Sequence, residues 1–133
     1  MSASEPASDP AAIRVLLVED NDVYRETLEF LLGRSPDVEV VGAVADGSSA
    51  PDACESLRAE VVVLDYRLPD LEGPAAAAAV RRRCPGTAVV FLSASAGDEE
   101  RESARIAAME LVRKDAGVDA LLRAVRTAAG RGA

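Results

Sequence analysis

Five polar residues close short strand-like runs in this chain: Glu19 and Asp20 after Ile13 to Val18, Asp65 after Val61 to Leu64, Ser93 after Thr87 to Leu92, and Lys114 after the less apolar Met109 to Arg113. One carboxylate behind an apolar run is an ordinary way to begin a loop. Three carboxylates with a hydroxyl and an amine are the ingredients of a site for a phosphoryl group and a divalent cation. An aspartate in such a site can act as a nucleophile toward phosphorus, while the cation and the amine offset the charge of the transferring group.

The charges themselves call for a cation. Carboxylates ~5 Å apart repel by about 3 kcal/mol per pair at an effective dielectric constant of about 20. A hard ion such as Mg²⁺ relieves this repulsion, because it takes one or two carboxylates, a carbonyl, waters and a phosphate oxygen. Lys114 offers part of the same relief without a metal, and it and Ser93 could both grip phosphoryl oxygens.

Composition narrows the choice of chemistry. At 133 residues the chain fits one domain, able to bury about 70% of the surface that its unfolded form exposes. Hydrophobic residues make up 49% and aromatic ones 3%, so the core must be built from Val, Leu, Ile and Ala. The net charge of −8 argues against unaided binding to nucleic acid or to an anionic membrane, since both are polyanions. Arg81-Arg82-Arg83 is a local exception and reads as a solvated helix face. There is no histidine, which excludes imidazole triads, His-ligated metals and a role as phosphohistidine donor. Cys54 and Cys84 fall inside predicted helices without metal-ligand spacing and read as reduced, half-buried thiols of a cytoplasmic protein. Neither a signal-like N-terminus nor a run of about 18 apolar residues is present, so secretion and membrane spanning are not expected.

The elements that must position these residues follow from periodicity. Residues 1–12, rich in Ser, Pro, Ala and acid, read as a flexible lead-in. Strands are expected over Ile13 to Val18, Val38 to Val44, Val61 to Asp65, Thr87 to Ser93 and, more weakly, Met109 to Arg113. Asn21 fits the cap of a helix with Tyr24, Leu28, Leu31 and Leu32 on one face, ended by Gly33 and Pro36. Further helices are expected from about Ala50 to Ala59, after Gly73-Pro74 through the Ala75 to Ala79 run, and from Asp98 to Ala108. Asp115 is expected to cap the last helix, whose stripe is Val118, Leu121, Leu122 and Val125. Strands and helices alternate five times, which predicts an α/β fold: a flavodoxin-like, doubly wound (βα)5 domain over residues 13–129, with a short tail at 130–133.

In a sheet of order 2-1-3-4-5 the strand order reverses between the first and third strands, and ligands bind outside the carboxyl ends there. Glu19-Asp20 and Asp65 end those two strands, and Ser93 and Lys114 end the next two. A flavin mononucleotide carrier fits poorly, because Glu19, Asp20 and Asp22 stand where a Ser/Thr/Gly-rich phosphate loop belongs. No G-x-G-x-x-G or P-loop lysine motif follows the first strand either. A phosphatase of the haloacid dehalogenase type needs an acid two residues after its nucleophile, and that position is Arg67.

Val15 to Asn21 (VLLVEDN), Leu64 to Gly73 (LDYRLPDLEG), Phe91 to Ala94 (FLSA) and Leu111 to Ala116 (LVRKDA) resemble the signature segments of the receiver domain of bacterial two-component response regulators. The resemblance runs from Ile13 to about Ala129. It implies that Asp65 is the phosphoacceptor, Asp20 a direct Mg²⁺ ligand, Glu19 an acid acting through metal-bound water, and Arg67 a ligand through its backbone carbonyl. Ser93 corresponds to the hydroxyl that follows the phosphoryl group and Lys114 to the lysine that contacts it. The implied function is a phosphorelay module that receives a phosphoryl group from a sensor histidine kinase or phosphotransfer protein and signals to a downstream protein through a changed surface. It is not expected to be an enzyme, beyond promoting its own phosphotransfer and dephosphorylation. With only Gly130 to Ala133 after the last predicted helix, a single-domain regulator or isolated receiver is expected, and a homodimer is left open. Two departures matter: Leu111 replaces the usual aromatic three residues before the lysine, and Ala107-Ala108 replaces the usual Gly-Ala step. Leu111 supports the alternative, a phosphorylation-independent receiver-like interaction module.

Overall fold

The aliphatic runs pair into one sheet. In the computed structural model, which describes residues 11–95 and 97–131, the strands are β1 (Ile13–Val18), β2 (Val38–Val44), β3 (Val61–Asp65), β4 (Ala88–Ser93) and β5 (Glu110–Arg113). They run parallel in the order β2-β1-β3-β4-β5, the doubly wound sheet expected from the alternation. Of the expected lead-in only Ala11 and Ala12, and of the expected tail only Gly130 and Arg131, are among the described residues.

Among the described residues five α-helices cover the sheet: α1 (Asp22–Gly33), α2 (Ala50–Leu57), α3 (Gly73–Arg83), α4 (Asp98–Ile106) and α5 (Val118–Ala128). Side chains alternate across the strands, so β1 sends Val15 and Leu17 to one face and Leu16 and Val18 to the other. The first face packs on Leu28 and Leu32 of α1 and Leu121 and Val125 of α5. The second packs on Cys54 of α2, Ala76, Ala77 and Val80 of α3, and Ala104 of α4. β3 is buried along its whole length, as a central parallel strand must be. Of the α3 alanines, Ala76 and Ala77 serve close packing, while Ala75 and Ala78 face solvent.

The polar details are mixed. Asn21 caps α1 by accepting from the Tyr24 N–H at 2.8 Å. Asp115 does not cap the last helix. Its carboxylate is taken by the fork of Arg113, with two bonds of 2.9 Å, and two charge-assisted bonds outcompete one to a backbone N–H. A 3₁₀ turn over Lys114–Ala116 leaves Gly117, at φ +93°, to start α5. Arg81-Arg82-Arg83 is only partly a solvated face: Arg81 donates to the Ala107 carbonyl at 3.1 Å, and Arg83 pairs with Asp52 and Glu55 of α2. Cys54 is buried in α2, where burial, more than the opposing Thr87 hydroxyl, pushes its thiol up to about 11. Cys84 stands just past α3, not inside it.

Three helices end in the same reversal. After α5 the Arg131 N–H donates to the Arg126 carbonyl and Gly130 turns left-handed at φ +76°. After α4 the Met109 N–H reaches the Ala104 carbonyl, but here the left-handed residue is Ala108, at φ +56°. After α2 it is Arg58, at φ +54°. A side chain in this region costs about 1–2 kcal/mol, which glycine avoids while adding freedom to the unfolded chain. Ala108→Gly is therefore expected to raise stability by about 0.5–1 kcal/mol, read as a higher urea midpoint at unchanged slope. An unchanged or lower midpoint would count against strain at this turn.

Candidate functional site

Strand register assembles the site. Val18 of β1 pairs with Leu64 of β3, so the next residues, Glu19 and Asp65, emerge side by side where the strand order reverses. Ser93 of β4 pairs with Arg113 of β5, which puts Lys114 one step beyond on the same edge. The sequence-derived candidates Glu19, Asp20, Asp65, Ser93 and Lys114 therefore all stand at the carboxyl ends of neighbouring strands.

The loop after Asp65 is held close. The Gly73 N–H donates to the Tyr66 carbonyl at 2.7 Å, and a Cβ on Gly73 would lie 2.7 Å from that oxygen. Only glycine lets α3 start this near the strand end. The Tyr66 ring sits edge-on to Phe91, centroids 5.3 Å apart, which anchors the residue after Asp65 in the core.

Within the site one cation bridges two acids. The Lys114 Nζ donates to Glu19 Oε1 at 2.8 Å and to Asp65 Oδ2 at 3.1 Å. Glu19 is 1% and Asp65 6% exposed. Glu19 Oε2 accepts from the Asn21 N–H at 3.0 Å, and Asp65 Oδ1 from the Arg67 N–H at 3.2 Å. Asp20 is exposed, yet Glu19, Asp20 and Asp65 each bring a carboxylate oxygen within 4.8 Å of the others. Three hard oxygen donors in that space suit a cation such as Mg²⁺.

The electrostatics follow from burial and proximity. Desolvation raises the Glu19 carboxyl above its usual value, with the charge of Asp65 adding to it, and the hydrogen bonds from Lys114 and Asn21 offset only part. For Lys114, burial pulls the ammonium down, but the hydrogen bond to Glu19 and the charges of Asp65 and Glu19 outweigh it, and the net shift is upward. The Tyr24 phenol is raised mainly by burial, and Lys114 Nζ lies 4.9 Å from its ring centroid, a cation–π contact. Tyr24 was legible only as a core position on α1. Its place beside the ammonium was not.

Two candidates also have partners outside the acid cluster. Arg67 donates its N–H to Asp65, but its guanidinium turns away, to Glu100 at 3.4 Å and Glu72 at 3.5 Å, above the Tyr66 ring. The Ser93 hydroxyl is buried and donates to Glu100, and the Ser95 N–H donates back to it at 3.2 Å. Glu100 is thus a site neighbour that sequence reasoning missed. Its signal was weak, since Asp98, Glu99 and Glu100 look alike at the start of an acidic helix. Ala94, after Ser93, is small and exposed. Leu111 is half-buried in β5, against the α2–α3–α4 face of the core.

The family model for the response regulator receiver domain matches residues 15–126. A protein-glutamate methylesterase/protein-glutamine glutaminase from Saccharophagus degradans is 37% identical over 82 residues, which is 62% of this chain and 22% of that protein. A counterpart from Myxococcus xanthus is 40% identical over 78 residues, 59% of this chain and 22% of its own length. The chain thus spans about a fifth of the length of these curated relatives. Among solved structures, the response regulator domain of Thermotoga maritima CheB has a TM-score of 0.80 at 27% identity, covering 90% of this chain and 97% of that one. The signal receiver domain of NarL from Mycobacterium tuberculosis has a TM-score of 0.77 at 30% identity, covering 88% and 98%. The strand-end acids and lysine lie inside the matched range, and the chain belongs to the family of response regulator receiver domains.

Proposed function

We propose that Asp65 is the phosphoacceptor of this receiver and that its donor is the phosphohistidine of a sensor histidine kinase or phosphotransfer protein. The observation that carries the reading is Lys114, bonded at once to Glu19 and Asp65. It neutralises a desolvated acid pair and holds the acceptor carboxylate in place. In the reaction an Asp65 oxygen forms a bond to phosphorus, the phosphorus–nitrogen bond breaks, and the imidazole leaves with its electron pair. Lys114 and Ser93 are the donors for the phosphoryl oxygens. Water later cleaves the acyl phosphate, and the small Ala94 leaves room for donor and water alike.

Glu19, Asp20 and Asp65, with the Arg67 carbonyl, are the proposed Mg²⁺ site. When bound, the ion would offset charge on the acceptor and the transferring group. Glu19 has both oxygens engaged by protein donors, which fits a role through metal-bound water. The module acts in the cytoplasm on a downstream protein through the surface formed by α4, β5 and α5. Among the described residues no helix is long and apolar enough to cross a membrane. A second reading, a receiver-like interaction module that works without phosphorylation, is favoured by Leu111 in the aromatic position.

Intact mass separates the two. With Mg²⁺ and acetyl phosphate the wild-type chain is expected to gain one phosphoryl group, and Asp65→Asn to gain none. Absence of the gain under every donor, a histidine kinase included, would leave the second reading.

The counter-ion role of Lys114 has its own test. Without a divalent cation at neutral pH, Lys114→Ala should cost roughly 2 kcal/mol, less than breaking a fully buried pair because a quarter of the Lys114 side chain is exposed. The raised Glu19 carboxyl makes its ionised form unfavourable, so its contribution to stability is present at low pH and is lost as pH rises through its folded value. Lys114, raised as well, keeps its contribution until pH passes its own folded value, above 10.5. The cost of Lys114→Ala should therefore shrink in acid, where Glu19 takes up a proton. Urea denaturation at acid and neutral pH reads it, and a cost independent of pH would sink the assignment.

A further inference from the structure

Of the buried carboxylates among the described residues, Glu100 is the one that the reading above leaves unused. It lies in the first turn of α4, where Asp98 and Glu99 are exposed and Glu100 alone turns inward at 5% exposure. A buried carboxylate persists only when donors satisfy it. Its donors are residues of the phosphorylation site: Ser93 gives its hydroxyl proton to one Glu100 oxygen, and the Arg67 guanidinium lies 3.4 Å from the other. Arg67 also gives its N–H to Asp65.

We propose that Glu100 is a positioning residue that passes the state of Asp65 to α4: it holds Ser93 and Arg67 while Asp65 is unmodified and is displaced when a phosphoryl group claims them. The inference rests on Asp65 being the acceptor. A serine hydroxyl has one proton to donate, so it cannot serve Glu100 and a phosphoryl oxygen together. An acyl phosphate adds negative charge beside a carboxylate already out of water, and like charges there repel. Arg67 is held by two glutamates at 3.4 and 3.5 Å with 61% of its side chain exposed. Those distances are long for charge-assisted bonds, so it can turn to the new anion.

Displacement of Glu100 must be felt by α4. Of its nine residues only Glu100 and Ala104 are buried, and Ile106 is 72% exposed. A helix with so little apolar anchorage sits at the low end of local stability. The tie to Ser93 and Arg67 is a main part of what fixes its first turn. This gives a route from the site to α4 that does not need an aromatic side chain at Leu111.

Hydrogen exchange over 98–106 in the full chain, with Mg²⁺ and beryllofluoride as the probe, tests the proposal. In the wild type, beryllofluoride should speed exchange in the first turn of α4 by roughly tenfold, the scale of losing one buried hydrogen bond. Glu100→Gln, neutral and of the same shape, should blunt that response and tighten beryllofluoride binding several-fold, because a like charge is gone. Ser93→Ala should speed α4 exchange with no ligand present, which tests the tie apart from any phosphoryl chemistry. Fluorine NMR of the bound probe reports occupancy independently. Occupancy with identical α4 responses in wild type and Glu100→Gln would overturn the inference and leave Asp65 as acceptor. Unchanged α4 exchange in ligand-free Ser93→Ala would overturn it as well. No occupancy and no phosphoryl gain in the wild type would overturn this inference together with the assignment of Asp65 as acceptor.

Discussion

The bond from the Lys114 ammonium to two desolvated carboxylates is what the rest of the site depends on. Glu19 and Asp65 emerge from adjacent buried strands, and without a cation between them their mutual repulsion would oppose the register that puts them there. That register is enforced by the aliphatic core, since a slip of one residue would send Leu16 and Val18 to the opposite layer. Hydrophobic packing thus brings like charges together, and one lysine, delivered by the fifth strand, makes the arrangement tolerable.

The scaffold is rigid where the acids sit and weaker where α4 sits. β1 and β3 are flanked on both sides by other strands and covered on both faces, and the loop after Asp65 is fastened by the Gly73–Tyr66 bond and the Tyr66–Phe91 ring contact. α4 has Ala104 as its one buried apolar side chain and ends in a left-handed alanine. A rigid acid cluster beside a lightly held helix is an arrangement in which a change of charge at one strand end can alter a surface without disturbing the sheet.

Much of this was legible in the sequence, for reasons that differ by residue. The strands could be read because aliphatic runs bounded by turn residues have few other uses, and Asn21 could be read as a cap because its oxygen serves a nearby N–H. The strand-end candidates could be read because parallel topology sends every strand's carboxyl end to one edge. Asp115 was misread: a local rule for helix caps lost to Arg113, two residues away, whose fork binds the carboxylate more strongly. Arg81 and Arg83 were read as solvated because their partners, the Ala107 carbonyl and Asp52 and Glu55, are far away in sequence.

The sequence by itself determined the alternation of elements, the aliphatic composition of the core and which polar residues end the strands, since these follow from periodicity and short-range chemistry. Only the tertiary structure decided which charges meet. Lys114 lies 95 residues from Glu19 and 49 from Asp65, and that contact exists because the β-order places β1 and β3 at the centre of the sheet. Which of three successive acids in α4 turns inward was likewise settled by how that helix lies against the edge of the sheet at β5. Glu100 reaches Ser93 and Arg67 while Asp98 and Glu99 stay in solvent, and nothing in their local sequence distinguishes them.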